Sequence, residues 1–132
     1  MITAKLIEDL VKNRTNNSAS SLEDIFNNKF YDFNIPRGTG KTTAIREYSK
    51  GKSSLKLRGC MSYEDDGWVS LIYPDRFIDN TRGQRLNGLQ YHYIVIDEFR
   101  ECLKPQLVLI LKHLLIRGML AEDFIIVSVR TG

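Results

Sequence analysis

The chain has 132 residues, 42% of them hydrophobic, and a formal net charge of +3. This length and apolar content predict a single domain with one real core, and the mild positive charge suits a nucleotide or nucleic-acid ligand without requiring one. No apolar run reaches transmembrane length and acids occur early in the chain, which argues against a membrane span and a signal peptide.

Two helices joined by a polar linker are predicted at the start of the chain. Residues 2–12 place apolar side chains at helical spacing, whereas residues 13–20 are small and polar. The pattern leaves open whether the first helix is a separate arm or packs on the domain, so we divide the chain into an N-terminal helix and linker, 1–20, and a main domain, 21–132. Ser21 followed by Asp24 is typical of an N-cap and predicts a short helix to about Asn28.

The next stretch combines a strand, a glycine-bearing loop and a helix start. Residues 30–35 are mostly apolar and aromatic, and Lys-Thr-Thr opens a helical pattern at Lys41. This combination is typical of a phosphate-binding loop, or Walker A motif, in which glycines let backbone N–H groups approach phosphate oxygens. The residues expected to bind the nucleotide are Pro36, Arg37, Gly38, Thr39, Gly40, Lys41, Thr42 and Thr43.

Within this phosphate loop, residues 36–43, two side chains have distinct expected roles. Lys41 supplies a charge for the β- and γ-phosphates, and the Thr42 hydroxyl is a ligand for Mg²⁺. The usual pattern begins with glycine, whereas this chain has Ile35 at that position. The fixed φ of Pro36 offers another way to set the start of the loop.

Three elements are predicted after the phosphate loop. A helix runs from about Lys41 to Ser49 and ends at Gly51, and a strand covers 55–57. An acidic turn, 63–67, precedes a strong strand over 68–73, which Pro74 stops.

A basic, glycine-punctuated loop follows over residues 81–88. It is either a plain surface loop or a site where Arg82 and Arg85 face phosphate, on a nucleotide or on nucleic acid. The second possibility includes an arginine that reaches the nucleotide of a neighbouring subunit.

Residues 91–98 carry an apolar run into two carboxylates, as in a Walker B strand. Ligands of parallel sheets bind at the carboxyl ends of strands, so Asp97 and Glu98 are expected beside the phosphate loop. Asp97 would hold Mg²⁺, and Glu98 would orient and deprotonate the attacking water.

The last two predicted elements are a helix and a strand. The helix covers 105–117, with Pro105 in its first turn and Gly118 as its stop. It is apolar almost all round, which favours one face on the sheet and another on a neighbouring subunit. The strand, 124–132, ends in polar residues that are candidates to touch the γ-phosphate or the attacking water.

Four stretches together resemble the ATPase domain of the large terminase, the DNA-packaging motor of phages and herpesviruses. They are the phosphate loop with its arginine, Arg82–Arg85, Ile94–Glu98, and the strand end Ile126–Gly132, which resembles the family's coupling motif. The resemblance implies catalytic roles for Arg37, Lys41, Glu98 and Ser128. It also implies a strand order in which the final strand lies between the strands that carry the phosphate loop and Glu98.

We therefore expect an α/β, three-layer P-loop NTPase with a mainly parallel central sheet, which binds and hydrolyses ATP with Mg²⁺. A viral DNA-packaging motor, or a related DNA-translocating ATPase, is implied by the resemblance, with double-stranded DNA and portal or other packaging components as partners. Family members are longer and carry a nuclease, but no later cluster of acids predicts one here. Two other functions stay open: a small nucleotide kinase, and a nucleotide-gated assembly module with weak or no hydrolysis.

The expected assembly and location follow from the same features. The apolar helix and the arginine loop predict a homo-oligomer, for which a ring is one candidate form. Cys60 and Cys102 match no metal spacing and suggest a reducing compartment. The expected location is the cytoplasm, that of the host if the protein is viral, or the virion, without membrane binding.

Overall fold

A computed structural model describes residues 3–12, 21–36, 38, 40–60, 67–81 and 90–131. Five strands form one parallel sheet in the order β1-β5-β4-β2-β3. Their bounds are β1 Phe30–Ile35, β2 Ser54–Arg58, β3 Val69–Ser70, β4 Tyr91–Asp97 and β5 Leu120–Thr131. The final strand thus lies between β1 and β4, as the resemblance implied, and the predicted parallel α/β architecture is confirmed.

Helices cover both faces of the sheet. Their bounds are α1 Ala4–Lys12, α2 Leu22–Asn28, α3 Lys41–Ser49, α4 Pro74–Thr81 and α5 Lys104–Ile116, with a 3₁₀ turn at Glu101–Leu103. Because side chains alternate along β4, Ile94 and Ile96 join the core under α2, α4 and α5, whereas Val95 joins the core under α1 and α3. The result is a three-layer α/β domain.

The first helix packs on the domain. Ile7 of α1 is completely buried in the same core cluster as Ile45 and Tyr48 of α3. This contact resolves the alternative that the sequence left open for α1, whereas the linker 13–20 lies outside the described residues. None of the helices in the described part of the chain is both long and apolar enough to cross a bilayer.

The strand predicted over 68–73 is wrong in length, and Pro74 does not act as a strand stop. Of residues 68–73, only Val69 and Ser70 form a strand, which pairs with β2, and Pro74 begins the helix α4. The Ser70 hydroxyl donates to the Cys60 carbonyl oxygen and accepts from the Ile72 N–H, so the chain turns and buries Leu71. Proline is tolerated in the first helical turn because its missing N–H would have no helical partner there.

The last helix and strand follow the predicted pattern with shifted starts. β5 begins at Leu120 rather than 124, and its pairing with β4 shifts register between Tyr91 and Tyr93. The ammonium group of Lys29, buried beside this irregular stretch, donates to the carbonyl oxygens of Glu122 (3.0 Å) and Phe124 (3.1 Å). On α5, Ile116 remains 85% exposed, so the helix keeps an apolar surface patch.

Candidate active site

Three strand ends converge at one edge of the sheet. The phosphate loop follows β1, Glu98 follows β4, and Thr131 ends β5. These strands are adjacent and parallel, so their carboxyl ends meet at the same edge. The topology therefore brings together residues that are far apart in the chain.

The two described glycines of the phosphate loop adopt left-handed backbone conformations. Gly38 and Gly40 have φ of 81° and 79°, and Gly40 is the N-cap residue of α3. The first turn of α3 contains no acid, so its N–H groups and dipole face no competing carboxylate within the helix. Ile35, in the place of the usual first glycine, ends β1 and is buried in the core shared with α3.

A polar cluster links the start of α3 to the ends of β4 and β5. Lys41 Nζ forms an ion pair with Glu98 Oε1, and the Thr131 hydroxyl donates to the same oxygen at 2.7 Å. Burial acts to raise the pKa of Glu98, but the hydrogen bonds from Lys41 and Thr131 outweigh it and the pKa is lowered. Glu98 is therefore a carboxylate at neutral pH, held in place by two donors.

The pKa of the neighbouring acid, Asp97, shifts in the opposite direction. Burial raises the pKa of Asp97, and a hydrogen bond from Thr42 and the charge of Lys41 offset this only in part. The Thr42 hydroxyl donates to Asp97 Oδ1 at 3.4 Å. A carboxylate that burial makes costly to ionise gains from a cation placed against it.

These two oxygen donors fit Mg²⁺. Mg²⁺ is held by one or two protein oxygens and completes its octahedron with water and substrate phosphates. The described residues contain no cluster of three or more His, Cys, Asp or Glu side chains that would indicate a different, protein-only metal site. Thr42 and Asp97 are thus the residues that would hold the ion.

The backbone at Glu98 is held in an unusual conformation. Its φ is 59°, the only positive value at a non-glycine position among the described residues. Gly59, just after β2, donates its N–H to the Asp97 carbonyl oxygen at 2.8 Å. A Cβ on Gly59 would lie 1.8 Å from the Glu98 carbonyl oxygen, so only glycine fits against this turn.

Gly59 is a residue that the sequence interpretation missed. Its position just past a predicted strand was the available signal, because the carboxyl ends of neighbouring strands share an edge. On the other side of the turn, the Phe99 N–H donates to the Val129 carbonyl oxygen at 3.0 Å. The Glu98 turn is therefore fixed by contacts to both β2 and β5.

Ser128 is not brought to this cluster. Its side chain is completely buried, and its hydroxyl donates to Asp32 Oδ1 at 2.7 Å. Arg130 pairs with the same aspartate and with Glu101 Oε1, the latter at 3.0 Å. The hydroxyl of β5 that reaches Glu98 belongs instead to Thr131, three residues further along.

The other predicted site residues divide into two groups. Pro36 and Thr43 are exposed at the two ends of the phosphate loop. Arg37, Thr39, Arg82 and Arg85 lie outside the described residues, so their predicted roles stay predictions. No family model, no curated protein and no solved structure matches this chain.

Proposed function

We propose that this chain is a Mg²⁺-dependent ATPase of the P-loop class. The observation that carries the proposal is the convergence of Lys41, Glu98 and Thr131 beside the pair Thr42 and Asp97, at the carboxyl ends of three parallel strands. Phosphoryl transfer to water needs a phosphate cradle, a cation site and a carboxylate that positions the water. Lys41 would serve the phosphate cradle, and Thr42 and Asp97 the cation site. Glu98, oriented by Thr131, would be the carboxylate that positions the water.

The charge arrangement suggests how the site changes when a triphosphate binds. Lys41 exchanges its carboxylate partner for the β- and γ-phosphates, and Thr131 keeps Glu98 oriented. The pKa of Glu98 then rises towards its ordinary value, because a major cause of its lowering has left. Glu98 stays ionised at neutral pH but becomes a better base for the attacking water.

Mg²⁺, held by Thr42 and Asp97, would neutralise charge on the phosphate oxygens. Asp97 gains from this, because a cation offsets the desolvation that raises its pKa. Adjacent residues of one turn thus take different tasks: Asp97 on the α3 side binds the cation, and Glu98 accepts the proton.

The biological role that we propose is a DNA-translocating motor of the terminase kind. Its support is the resemblance of four sequence stretches, together with the position of β5 between β1 and β4. In this role Arg37 would stabilise transition-state charge from within the phosphate loop, or Arg82 or Arg85 would do so from a neighbouring subunit.

The test is phosphate release by the purified chain with ATP and Mg²⁺, with and without double-stranded DNA. We expect Mg²⁺-dependent turnover that DNA stimulates. Glu98→Gln should lower kcat by about 100-fold or more while retaining the affinity for a non-hydrolysable ATP analogue, because it removes the base and frees Lys41. Lys41→Ala should weaken binding itself.

The outcomes separate the other two functions. Phosphate transfer to an added nucleoside monophosphate, in place of release to water, would identify a kinase. Calorimetric binding of the analogue without turnover would identify a nucleotide-gated module. Absence of binding to the wild-type chain, or wild-type turnover by Glu98→Gln, would contradict the assignment of this site.

A further inference from the structure

A groove of about 580 Å³ lies between the starts of α1 and α3. We call it the α1–α3 groove. Its walls include Thr3 and the first two residues of α1, Ala4 and Lys5. The other wall is formed by Gly40, Thr43 and Glu47 of the phosphate loop and α3. Its volume is within the range of about 300–1,000 Å³ that is typical of small-molecule sites.

The α1–α3 groove is continuous with the phosphate loop. Gly40 and Thr43 belong to both, and Glu47 lies one helical turn beyond Thr43 on the same side of α3. A ligand whose phosphates occupy the loop can therefore extend into the groove without leaving the protein surface. Because Gly40 and Thr43 are shared, an occupant of the groove would adjoin the ligand that the loop holds.

Two other cavities lack this continuity. One of about 310 Å³ lies at the opposite end of the sheet, beside His92 and Asp123. Another of about 210 Å³ lies on the other face, between Phe26, Phe99 and Lys104. Neither includes a residue of the phosphate loop.

The side chains of the α1–α3 groove suit a nucleoside. Ala4 and Thr43 are small, and they leave room for a flat ring with methyl groups beside it. Lys5 and Glu47 add a donor and an acceptor. Glu47 accepts from Lys50 at 2.9 Å, but its side chain is 53% exposed and retains free lone pairs for an amino or hydroxyl donor.

We propose that the α1–α3 groove binds the base and ribose of the nucleoside triphosphate whose phosphates the loop holds. The proposal rests on the proposed function and extends it, because it names a nucleoside, rather than any polyphosphate, as what the chain recognises. It also makes α1 part of the binding site. An element that the sequence separated from the main domain thereby gains a direct role in ligand selection.

The test compares two probes by calorimetry, both with Mg²⁺: the ATP analogue adenylyl imidodiphosphate and inorganic tripolyphosphate. The wild-type chain should bind the nucleotide more tightly. Ala4→Phe fills the groove, so it should weaken nucleotide binding by about tenfold or more and leave tripolyphosphate binding within about twofold. Leu6→Phe, on the same helix but outside the groove, should change neither affinity.

A second variant keeps the test decisive if Ala4→Phe does not fold. The double substitution Lys5→Ala and Glu47→Ala changes only exposed side chains, and it should weaken nucleotide binding selectively. Unchanged nucleotide affinity in either folded variant would overturn the proposal. Equal affinity of the wild-type chain for both probes would overturn it while leaving the phosphate site intact, whereas binding of neither probe would instead remove the proposed function.

Discussion

At the scale of single residues, Asp97 and Glu98 are neighbours with opposite pKa shifts. Burial dominates at Asp97 and raises its pKa, whereas hydrogen bonds from Lys41 and Thr131 prevail at Glu98 and lower its pKa. The difference arises from the turn at Glu98, whose positive φ directs two successive carboxylates to different partners. This difference fits the roles that we propose, with Asp97 as a cation ligand and Glu98 as the base.

The position of Glu98 should depend on Gly59. Gly59→Ala would force its new Cβ against the Glu98 carbonyl oxygen, so the turn must shift and carry the carboxylate with it. We expect kcat to fall by about 100-fold, as a displacement near 1 Å can do, with nucleotide affinity close to wild type. Steady-state phosphate release and calorimetry measure the two quantities.

Gly51→Ala is the matched control for that variant. Gly51 has φ of 74°, but a Cβ added there would meet no atom within 4 Å, so alanine costs stability without touching the Glu98 turn. Wild-type kcat in Gly59→Ala would show that Gly59 does not position Glu98. A loss of kcat in Gly51→Ala as large as in Gly59→Ala would assign the effect to general destabilisation.

Asp97 should make the ligand-free protein less stable at neutral pH. Its pKa is raised on folding, so the ionised form opposes folding, and this cost develops as pH rises above the ordinary value of 3.8 and is complete above the raised folded value. Asp97→Asn removes the charge and keeps an oxygen for Thr42. We expect a higher Tm than wild type at pH 7 without Mg²⁺ or nucleotide.

The pH dependence and a control make this prediction specific. The Tm advantage of Asp97→Asn should shrink as pH falls through the raised pKa towards 3.8. Asp9→Asn, at an exposed position of α1, should show no such advantage. A lower Tm for Asp97→Asn at pH 7 would mean that the carboxylate stabilises the folded chain. That result would contradict the raised pKa of Asp97, by which the ionised form opposes folding.

Much of this site could be predicted from the sequence, because the strongest signals are local. Lys41 and Thr42 follow a glycine at a helix start, and the acids Asp97 and Glu98 end an apolar run. The polar end of the last strand, which includes Thr131, was a candidate to touch phosphate or water. The contacts of Thr131 and Gly59 with the Glu98 turn could not be predicted in this way, since they depend on which strands are neighbours. Ser128 shows the same limit: its place in the pattern indicated a site residue, but its hydroxyl donates to Asp32 inside the sheet.

At the scale of elements, the predicted helices and strands correspond closely to the structure wherever sequence period and end signals agree. The helix at Lys41–Ser49 has the predicted bounds, and the strand Phe30–Ile35 lies in the first half of the stretch 30–43, where a strand was predicted. The stretch 68–73 differs because an apolar run alone does not fix extended pairing. There the Ser70 hydroxyl closes a turn, and Leu71 enters the core without continuing the strand.

The Lys29 side chain links the end of α2 to the irregular start of β5. Lys29→Met keeps much of the apolar stem but leaves the Glu122 and Phe124 carbonyl oxygens without their donor. We expect a loss of about 1–3 kcal/mol in the free energy of unfolding, measured by urea denaturation. Burial also lowers the pKa of Lys29, which offsets part of the gain from the hydrogen bonds.

Lys12→Met is the matched control for Lys29→Met. Lys12 is 71% exposed and forms an ion pair with Glu8 on the same helix, so its replacement should change the free energy of unfolding much less. Equal effects of the two substitutions would show that the buried ammonium of Lys29 contributes no more than a surface charge.

At the scale of the whole molecule, the exposed part of α5 supports the prediction of a homo-oligomer. Leu109 and Leu115 are 48% and 45% exposed, and Ile116 is 85% exposed, so the helix presents apolar surface although its other face is buried. Contact between subunits would cover this surface. The proposed arginine that acts between subunits requires such an assembly.

A mixing experiment tests whether Arg82 or Arg85 acts on the nucleotide of a neighbouring subunit. Glu98→Gln subunits should be inactive, and so should Arg82→Ala or Arg85→Ala subunits if the missing arginine acts between subunits. Combining the two kinds should then restore partial turnover, because some interfaces join an intact carboxylate to an intact arginine. The same mixture made with Arg37→Ala should stay inactive if Arg37 acts within its own subunit.

Each variant alone serves as the control, at the same total concentration as the mixture. Full turnover by a strictly monomeric wild-type chain, at a rate per molecule that does not depend on concentration, would contradict the model in which an arginine acts between subunits. Sedimentation under assay conditions establishes which species is active.

The position of β5 has a consequence for how the chain folds during synthesis. Among the strands of the described residues, β1 pairs only with β5, and β5 follows the other four along the chain. The ribosome therefore delivers the phosphate loop early but its neighbouring strand late, so β1 cannot be paired until residues 120–131 have emerged. Until then β1 offers an unpaired backbone edge, and the non-local pairing that completes the domain forms last. Under the proposed function, competence to bind phosphate would therefore develop only when the sheet is assembled.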